Sequence, residues 1–115
     1  MPLLKLETTA ALTDDMHAAL LASLSKIVAE TIDKPEQYVM VSINPAVILM
    51  SGKGGDAAFV DIRSIGGLNG EVPRTLTKRI CHALNRSLGI PQDRIYLNFS
   101  DLKAANWGWN GDTFG

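Results

Sequence analysis

The sequence has little cysteine and no excess of charge. Cys81 is the single cysteine among 115 residues, so the chain offers no internal disulfide, no CxxC pair and no four-cysteine zinc site. Eleven Lys and Arg residues stand against twelve Asp and Glu residues, and a net charge of -1 gathers neither phosphates nor an anionic membrane. We therefore expect a folded protein without a nucleic-acid partner, in which Cys81 packs beside the apolar stripe of a helix.

Long apolar runs and familiar catalytic motifs are also missing. No window approaches the roughly 20 apolar residues of a membrane span, and the start MPLLKLETT lacks the basic region and apolar core of a signal peptide. We expect no membrane insertion and a cytoplasmic location, with export independent of a signal peptide left open. The chain has no nucleophile elbow, and His17 and His82 have no metal-site spacing around them. We expect neither a metal nor a cofactor.

Hydrophobic periodicity predicts two amphipathic helices. The first spans Thr13–Ile32, with Thr13 or Asp14 as its N-cap. The second spans Asn69–Leu88, with Asn69 as its cap and Gly89 as its stop.

Five short runs rich in branched residues predict strands. They lie at Leu3–Leu6, Tyr38–Ile43, Val47–Met50, Phe59–Ile62 and Ile95–Phe99. The glycine-rich segment Ser51–Gly55 lacks the spacing of a phosphate-binding loop and is interpreted as a hairpin loop.

The two halves of the chain resemble each other. A shift of 56 positions aligns them without a gap, pairing Leu4 with Val60, Leu20 with Leu76, Leu24 with Ile80, Pro35 with Pro91 and Val41 with Leu97. Both halves then follow a β-α-β order, which indicates an internal duplication, roughly 2–50 and 58–106, within one domain of residues 1–115. We predict an α+β fold: a four-stranded mixed sheet made of two parallel β-α-β units, with both helices on one face and short edge strands besides.

Two helices can cover only one face of this sheet. Yet Tyr38, Met40 and the run Val47–Met50 place apolar groups on both faces of their strands. Because an exposed apolar sheet favours association, we expect other copies of the chain to bury the second face.

Pro2 is a candidate base. A small residue after the initiator methionine usually permits removal of Met1, and the chain would then begin with a secondary amine whose lone pair is free of amide resonance. Apolar surroundings would lower its pKa from the roughly 7.7 to 8.0 of an α-amino group toward neutrality. The alternative is that Pro2 only permits this cleavage and starts an edge strand.

Three further features have two interpretations each. Lys34 either pairs with a substrate carboxylate or is a solvated loop residue. The segment 64–67 either offers backbone N–H groups to an anionic oxygen or forms a plain turn. The aromatic residues of segment 106–114 either anchor a subunit interface or wall an apolar pocket.

Several motifs together resemble the macrophage migration inhibitory factor family of the tautomerase superfamily, over the whole chain and in the family's order and spacing. They are the N-terminal Met1-Pro2, Lys34-Pro35, Ser64-Ile65-Gly66, the strand 93–98 and the closing segment 104–110. The resemblance implies a homotrimer with active sites between subunits and phenylpyruvate tautomerase activity toward a small aromatic α-keto acid. By position, Pro2 is then the base, Lys34 and the backbone of Ile65 face the substrate's polar end, and Tyr96 and Asn98 reach in from an adjacent subunit. The implied apolar walls are Leu3, Trp107, Trp109 and Phe114.

The chain departs from the family's pattern at three places. Residues 57–60 read Ala-Ala-Phe-Val where the vertebrate cytokine has a C-x-x-C pair, so thiol-disulfide chemistry is not expected. Leu12 and Ala46 lack the charges of the cytokine's receptor-binding surface, which puts receptor signalling in doubt. Trp107 stands where the family usually has a smaller aliphatic residue, so we expect a narrower pocket. Two alternatives remain: a signalling or host-modulating protein with vestigial activity, and a ferredoxin-like ligand- or RNA-binding module.

Overall fold

The computed structural model describes residues 1–115 as a four-stranded mixed sheet with two helices. Its elements are β1 (Pro2–Thr8), α1 (Asp14–Ile32), β2 (Met40–Pro45), β3 (Ala58–Ser64), α2 (Val72–Leu88), β4 (Ile95–Asp101), β5 (Gly108–Trp109) and β6 (Asp112–Thr113). The sheet order is β2-β1-β3-β4, and β5 and β6 form a separate two-stranded hairpin. Strands β1 and β2 are parallel, as are β3 and β4, whereas β1 and β3 are antiparallel. The predicted α+β architecture is confirmed.

Local sequence explains where α1 begins and ends. The Thr13 hydroxyl accepts a hydrogen bond from the Met16 N–H at 3.2 Å, which confirms Thr13 as the N-cap. Asp33 ends the helix in the left-handed conformation at φ 62°. Between these ends, the buried residues Leu20, Leu24 and Val28 recur every fourth position and turn one stripe toward the sheet.

The second helix begins later than predicted. Its first residue is Val72, and Glu71 stands at the N-cap without a side-chain hydrogen bond, so the prediction that Asn69 caps α2 is wrong. Asn69 contributes only its carbonyl, which accepts the Val72 N–H at 3.2 Å. Gly70 at φ 59° is left-handed and cannot belong to the helix, so the helix starts after it. The predicted stop at Gly89 is confirmed, with φ 70°.

The core lies between the helices and one face of the sheet. Alternate residues of the central strands point inward, and Leu4, Leu6, Val60 and Ile62 are fully buried there. Cys81 joins this core, as predicted. Neither helix has the length and apolar character needed to cross a bilayer.

The opposite face is less apolar than the sequence predicted. Arg63 and Asp61 form an ion pair at 3.0 Å on it. Two of the exposed apolar side chains lie on the edge strands: Met40 on β2 is 66% exposed and Tyr96 on β4 is 67% exposed. Both edges of the sheet therefore carry exposed apolar surface that could favour association.

The prediction of a strand at Val47–Met50 is wrong for the single chain. This segment follows Pro45, which ends β2, and it has no neighbouring strand, because β2 is an edge strand that pairs only with β1. Val47 is fully exposed and Leu49 is 72% exposed. The turn that follows is closed by reciprocal Met50 and Lys53 backbone hydrogen bonds of 3.1 and 3.0 Å. It is not a hairpin between neighbouring strands, since β1 lies between β2 and β3.

Candidate functional site

Pro2 lies at the start of a central strand. It pairs with Ser64 at the end of β3, and its ring is buried. β1 is flanked by β2 and β3, so the interpretation of Pro2 as the start of an edge strand is wrong. Proline is tolerated here because it is the first residue of the strand, where no ladder hydrogen bond requires its N–H.

A cavity of about 710 Å³ opens beside Pro2. Most of the residues around it are hydrophobic; they are Met1, Pro2, Leu3, Gln37, Tyr38, Val39, Met40, Trp107, Gly108 and Trp109. Four residues singled out from the sequence therefore lie together, namely Pro2, Leu3, Trp107 and Trp109. A volume of this size with apolar walls suits a small organic ligand.

Lys34 is brought to the same end of the sheet by the end of α1. The Lys34 N–H bonds the Ala29 carbonyl at 3.1 Å, which turns the chain sharply after the helix. Its side chain lies over Gly67, where an added Cβ would stand 3.6 Å from the Lys34 Cε and only 2.7 Å from the Ile32 Cγ2. Glycine at 67, with φ 80°, allows the loop after β3 to approach Lys34 this closely.

The local environment disfavours positive charge on an amine at this end of the chain. Burial lowers the pKa of the Met1 α-amino group below its ordinary value, and the Lys34 ammonium lowers it further. An amine in this position is therefore neutral, and able to accept a proton, at a lower pH than an ordinary terminus.

The loop after β3 already holds an anionic oxygen from the chain itself. The Gly66 N–H donates to the Asp101 Oδ1 at 2.9 Å, and the Ser64 carbonyl accepts the Leu102 N–H at 2.8 Å. The interpretation that backbone N–H groups of segment 64–67 bind a ligand anion is therefore wrong for the Gly66 N–H, which Asp101 already occupies. Ile65 lies between these two residues, immediately past the cross-strand partner of Pro2.

Tyr96 and Asn98 do not line the cavity. They lie on β4, at the far edge of the sheet, in register with Phe59 and Asp61. Strand spacing and rise place Tyr96 roughly 19 Å and Asn98 roughly 14 Å from Pro2. Both side chains are exposed. Within one chain they cannot contact a small molecule bound at Pro2.

The C-terminal aromatic residues form a structured wall. Trp107 and Trp109 both line the cavity, which favours the pocket interpretation of this segment over the interface one. Phe114 stacks on Trp109 with ring centroids 5.9 Å apart and planes 8° from parallel, and its N–H bonds the Trp107 carbonyl at 3.1 Å. Phe114 does not reach the cavity; it supports Trp109 from behind.

Sequence reasoning missed the segment Gln37–Met40 as part of the site. The signal was present: in a parallel β-α-β unit the starts of both strands lie side by side, and Leu3 is in register with Met40. Any site at Pro2 must therefore include the beginning of β2.

Groups for metal or thiol chemistry are not assembled. No cluster of three or more His, Cys, Asp or Glu residues is positioned to hold a metal ion. Burial raises the pKa of the Cys81 thiol, which keeps it protonated and unreactive.

Comparisons with known proteins agree over the full chain. The family model described as macrophage migration inhibitory factor matches residues 1–115. Macrophage migration inhibitory factor of Xenopus laevis is 37% identical over 115 residues, which cover 99% of both chains. The crystal structure of the homologue from Prochlorococcus marinus has a TM-score of 0.93 at 38% identity and covers 98% of this chain and 99% of that one. The similar protein from Entamoeba histolytica has a TM-score of 0.94 at 34% identity and covers 98% of each chain.

These matches extend over both β-α-β halves and over the C-terminal wall of the cavity. The agreement holds for both sequence and backbone. The chain belongs to the macrophage migration inhibitory factor family.

Proposed function

We propose that this protein is a keto-enol tautomerase for phenylpyruvate-type α-keto acids, with Pro2 as general base once Met1 has been removed. The observation that carries the proposal is the position of Pro2: it lies in the wall of an aromatic-lined cavity, at the end of the sheet that also holds Lys34. Membership of a tautomerase superfamily supports an isomerase activity.

Removal of Met1 would do two things at this site. It would convert the amide nitrogen of Pro2 into a secondary amine, and it would clear the side chain of Met1 from the cavity that it lines. The burial and the Lys34 charge that lower the pKa of the Met1 amine would act on the new terminus one residue later. The amine would then be a base near neutral pH, where general base catalysis is most effective.

The proton transfer that we propose is balanced within the substrate and Pro2. The Pro2 lone pair takes a proton from the carbon next to the keto group, the C–H electron pair forms the C=C bond, and the carbonyl π electrons move to oxygen. The same proton then passes from the Pro2 ammonium to that oxygen and completes the enol. The reverse sequence gives the ketone, so the amine is regenerated without a cofactor.

Lys34 and the aromatic residues would orient the substrate. The Lys34 side chain lies over Gly67 and its charge acts on the chain terminus, so its ammonium would pair with the substrate carboxylate, with the Ile65 backbone at the same end of the sheet. Leu3, Trp107 and Trp109 would pack on the aromatic ring, and Phe114 would act through Trp109. This arrangement separates a polar end of the site from an apolar end, as an aryl keto acid requires.

We further propose a homotrimer in which the site is completed by an adjacent subunit. Tyr96 and Asn98 are exposed on an edge strand and too distant from Pro2 in their own chain. The exposed segment Val47–Leu49, which follows the other edge strand, makes no backbone hydrogen bonds. Edge strands with exposed apolar side chains favour pairing with another chain, and such pairing would supply the missing residues.

The test compares processed and unprocessed protein. Intact mass identifies samples with and without Met1, and ultraviolet absorbance follows phenylpyruvate ketonisation by each. We expect activity only in the form that begins at Pro2. Equal activity in both forms would eliminate Pro2 as the base. If neither form is active, a signalling function becomes the better-supported proposal.

A further inference from the structure

We infer that Ser64 is a positioning residue for the Pro2 amine, an inference that rests on the proposed function. Ser64 is fully buried, and its hydroxyl makes no hydrogen bond. It is the one buried side-chain polar atom in the chain without a partner. Leaving such a hydroxyl unpaired is costly, so this position invites a partner that the chain with Met1 attached does not supply.

The internal repeat identifies where that partner belongs. Ser64 is equivalent to Thr8 under the shift of 56 positions, and the pair Pro2 and Ser64 is equivalent to the pair Ala58 and Thr8. The Thr8 hydroxyl is satisfied: it donates to the Ala57 carbonyl at 3.0 Å and accepts the Ala10 N–H at 3.2 Å. Its acceptor is thus the carbonyl directly preceding its cross-strand partner.

Under the same relation the Ser64 hydroxyl would lie next to the carbonyl that precedes Pro2, although it makes no hydrogen bond to that carbonyl in this structure. The carbonyl preceding Pro2 is that of Met1, which is lost with the initiator residue. An N–H bond then replaces the bond from the Pro2 nitrogen to that carbonyl carbon. The new N–H would then lie where that carbonyl carbon lay, next to the cross-strand partner Ser64. The Gly66 N–H, equivalent to the Ala10 N–H, is already bound to Asp101, so the hydroxyl oxygen is free to accept.

Accepting this hydrogen bond would orient the base. A neutral secondary amine has one N–H and one lone pair, and inversion at nitrogen exchanges their directions. With the N–H held by Ser64, the lone pair is directed into the cavity and toward the substrate carbon. The same acceptor favours the ammonium form, since a hydrogen bond to a charged form stabilises it. Ser64 touches the base and not the substrate.

The first measurement is steady-state kinetics of processed wild type, Ser64→Ala and the matched control Thr8→Val. The control removes the equivalent buried hydroxyl at the opposite end of the strand pair, where it has its own partners. For Ser64→Ala we expect kcat to fall about tenfold, the value of a single hydrogen bond, with KM within about twofold. For Thr8→Val we expect an unchanged kcat despite a lower melting temperature.

The second measurement does not depend on turnover. Titration of the Pro2 amine by ¹⁵N NMR in proline-labelled protein gives its midpoint directly. We expect a lower midpoint in Ser64→Ala than in wild type and no shift in Thr8→Val. An unchanged midpoint in Ser64→Ala overturns the assignment, whatever kcat does. If wild type shows no tautomerase activity but the midpoint shifts, the proposed function fails while the Ser64–Pro2 contact stands.

Discussion

The two ends of the central strand pair have the same architecture and different chemistry. We define the open end by Pro2, Ser64 and Lys34, and the closed end by their counterparts 56 positions away, Ala58, Thr8 and Ile90. At the closed end Ala58 and Ile90 are buried, and the Thr8 hydroxyl has both a donor and an acceptor. At the open end the hydroxyl lacks a partner and a lysine replaces the buried isoleucine.

Arg94 explains how the closed end is filled. Its guanidinium donates to the Asp56 carbonyl at 2.9 Å, the Lys53 carbonyl at 3.1 Å and the Met50 carbonyl at 3.3 Å, and so fixes the loop that leads into β3. The position equivalent to Arg94 is Tyr38, which lines the cavity at the open end. One repeat thus uses this position to hold a loop, and the other uses it to wall a ligand site. Two halves with the same β-α-β order can therefore differ in that one leaves open a space that the other fills.

The largest effect at the open end is expected from its base. Pro2→Gly keeps a terminal amine but makes it primary and more flexible, and we expect kcat/KM for phenylpyruvate to fall by about 10²-fold or more, the contribution typical of a general base. Stopped-flow or ultraviolet assays of the processed protein measure it. Pro45→Gly, the same exchange at the end of the neighbouring strand, is the control and should keep wild-type kcat/KM. Wild-type kcat/KM in Pro2→Gly would show that the secondary amine of Pro2 is not required and would contradict its special role at the open end.

Lys34 is expected to have the next largest effect. Lys34→Ala should raise KM for phenylpyruvate about tenfold, because the carboxylate loses a charged hydrogen-bond partner. The substitution also removes a positive charge that lowers the pKa of the terminal amine. That pKa then rises, the amine stays protonated to higher pH, and the acidic limb of the kcat/KM profile moves to higher pH.

Charge and position can be separated at Lys34. Lys34→Arg should keep the limb near its wild-type pH, and Lys53→Ala, a change at an exposed lysine of the closed-end loop, should leave both KM and the limb unchanged. A limb that stays in place in Lys34→Ala would mean that burial alone sets the pKa of the amine.

The closed end should respond in stability and not in rate. Arg94→Ala removes three hydrogen bonds to the loop carbonyls, and we expect a loss of about 1 to 3 kcal/mol in the free energy of unfolding, because hydrogen bonds from a charged guanidinium are stronger than those that water offers in their place. Urea denaturation measures it, with kcat/KM of the same sample unchanged. A fall in kcat/KM without a loss of stability would show that Arg94 acts on the site and would contradict the division between the ends.

The sequence predicted much of this fold because the pattern was local. Helical spacing located α1 and α2, and short runs rich in branched residues located four of the five predicted strands. The prediction of a strand at Val47–Met50 was wrong because strand formation needs a neighbouring strand, which the single chain does not provide. The apolar, branched residues of this segment are nevertheless typical of a strand. The prediction of Asn69 as the N-cap of α2 was wrong because Gly70 takes a left-handed conformation, which the spacing of apolar residues does not reveal.

The site was predictable only where it depends on motifs. Pro2 and Trp107 belong to the motifs that carry the family resemblance, and the structure brings both to one cavity. Gln37 and Tyr38 have no distinctive residue type, and only the parallel register of β1 and β2 reveals their place. The unpaired Ser64 hydroxyl could not be found from sequence, since satisfaction of a hydrogen bond depends on three-dimensional contacts.

The smallest effect is expected from Trp107, and it tests how far the open end is fitted to its ligand. Trp107→Val removes aromatic area from the cavity wall, so we expect KM for phenylpyruvate to rise about threefold to tenfold, the value of one aromatic contact, while kcat holds because the residue does not touch the base. The predicted narrowing by Trp107 has a second consequence: an aryl keto acid with a bulkier ring should gain relative to phenylpyruvate in the variant. Phe114→Leu is the comparison, since Phe114 stacks on Trp109 without lining the cavity and should change the preference less than Trp107→Val does. Steady-state assays with both substrates on all three proteins decide the matter. An unchanged ratio of kcat/KM between the two substrates in Trp107→Val would place the aromatic ring of the substrate elsewhere, against the start of β2 and away from the C-terminal wall.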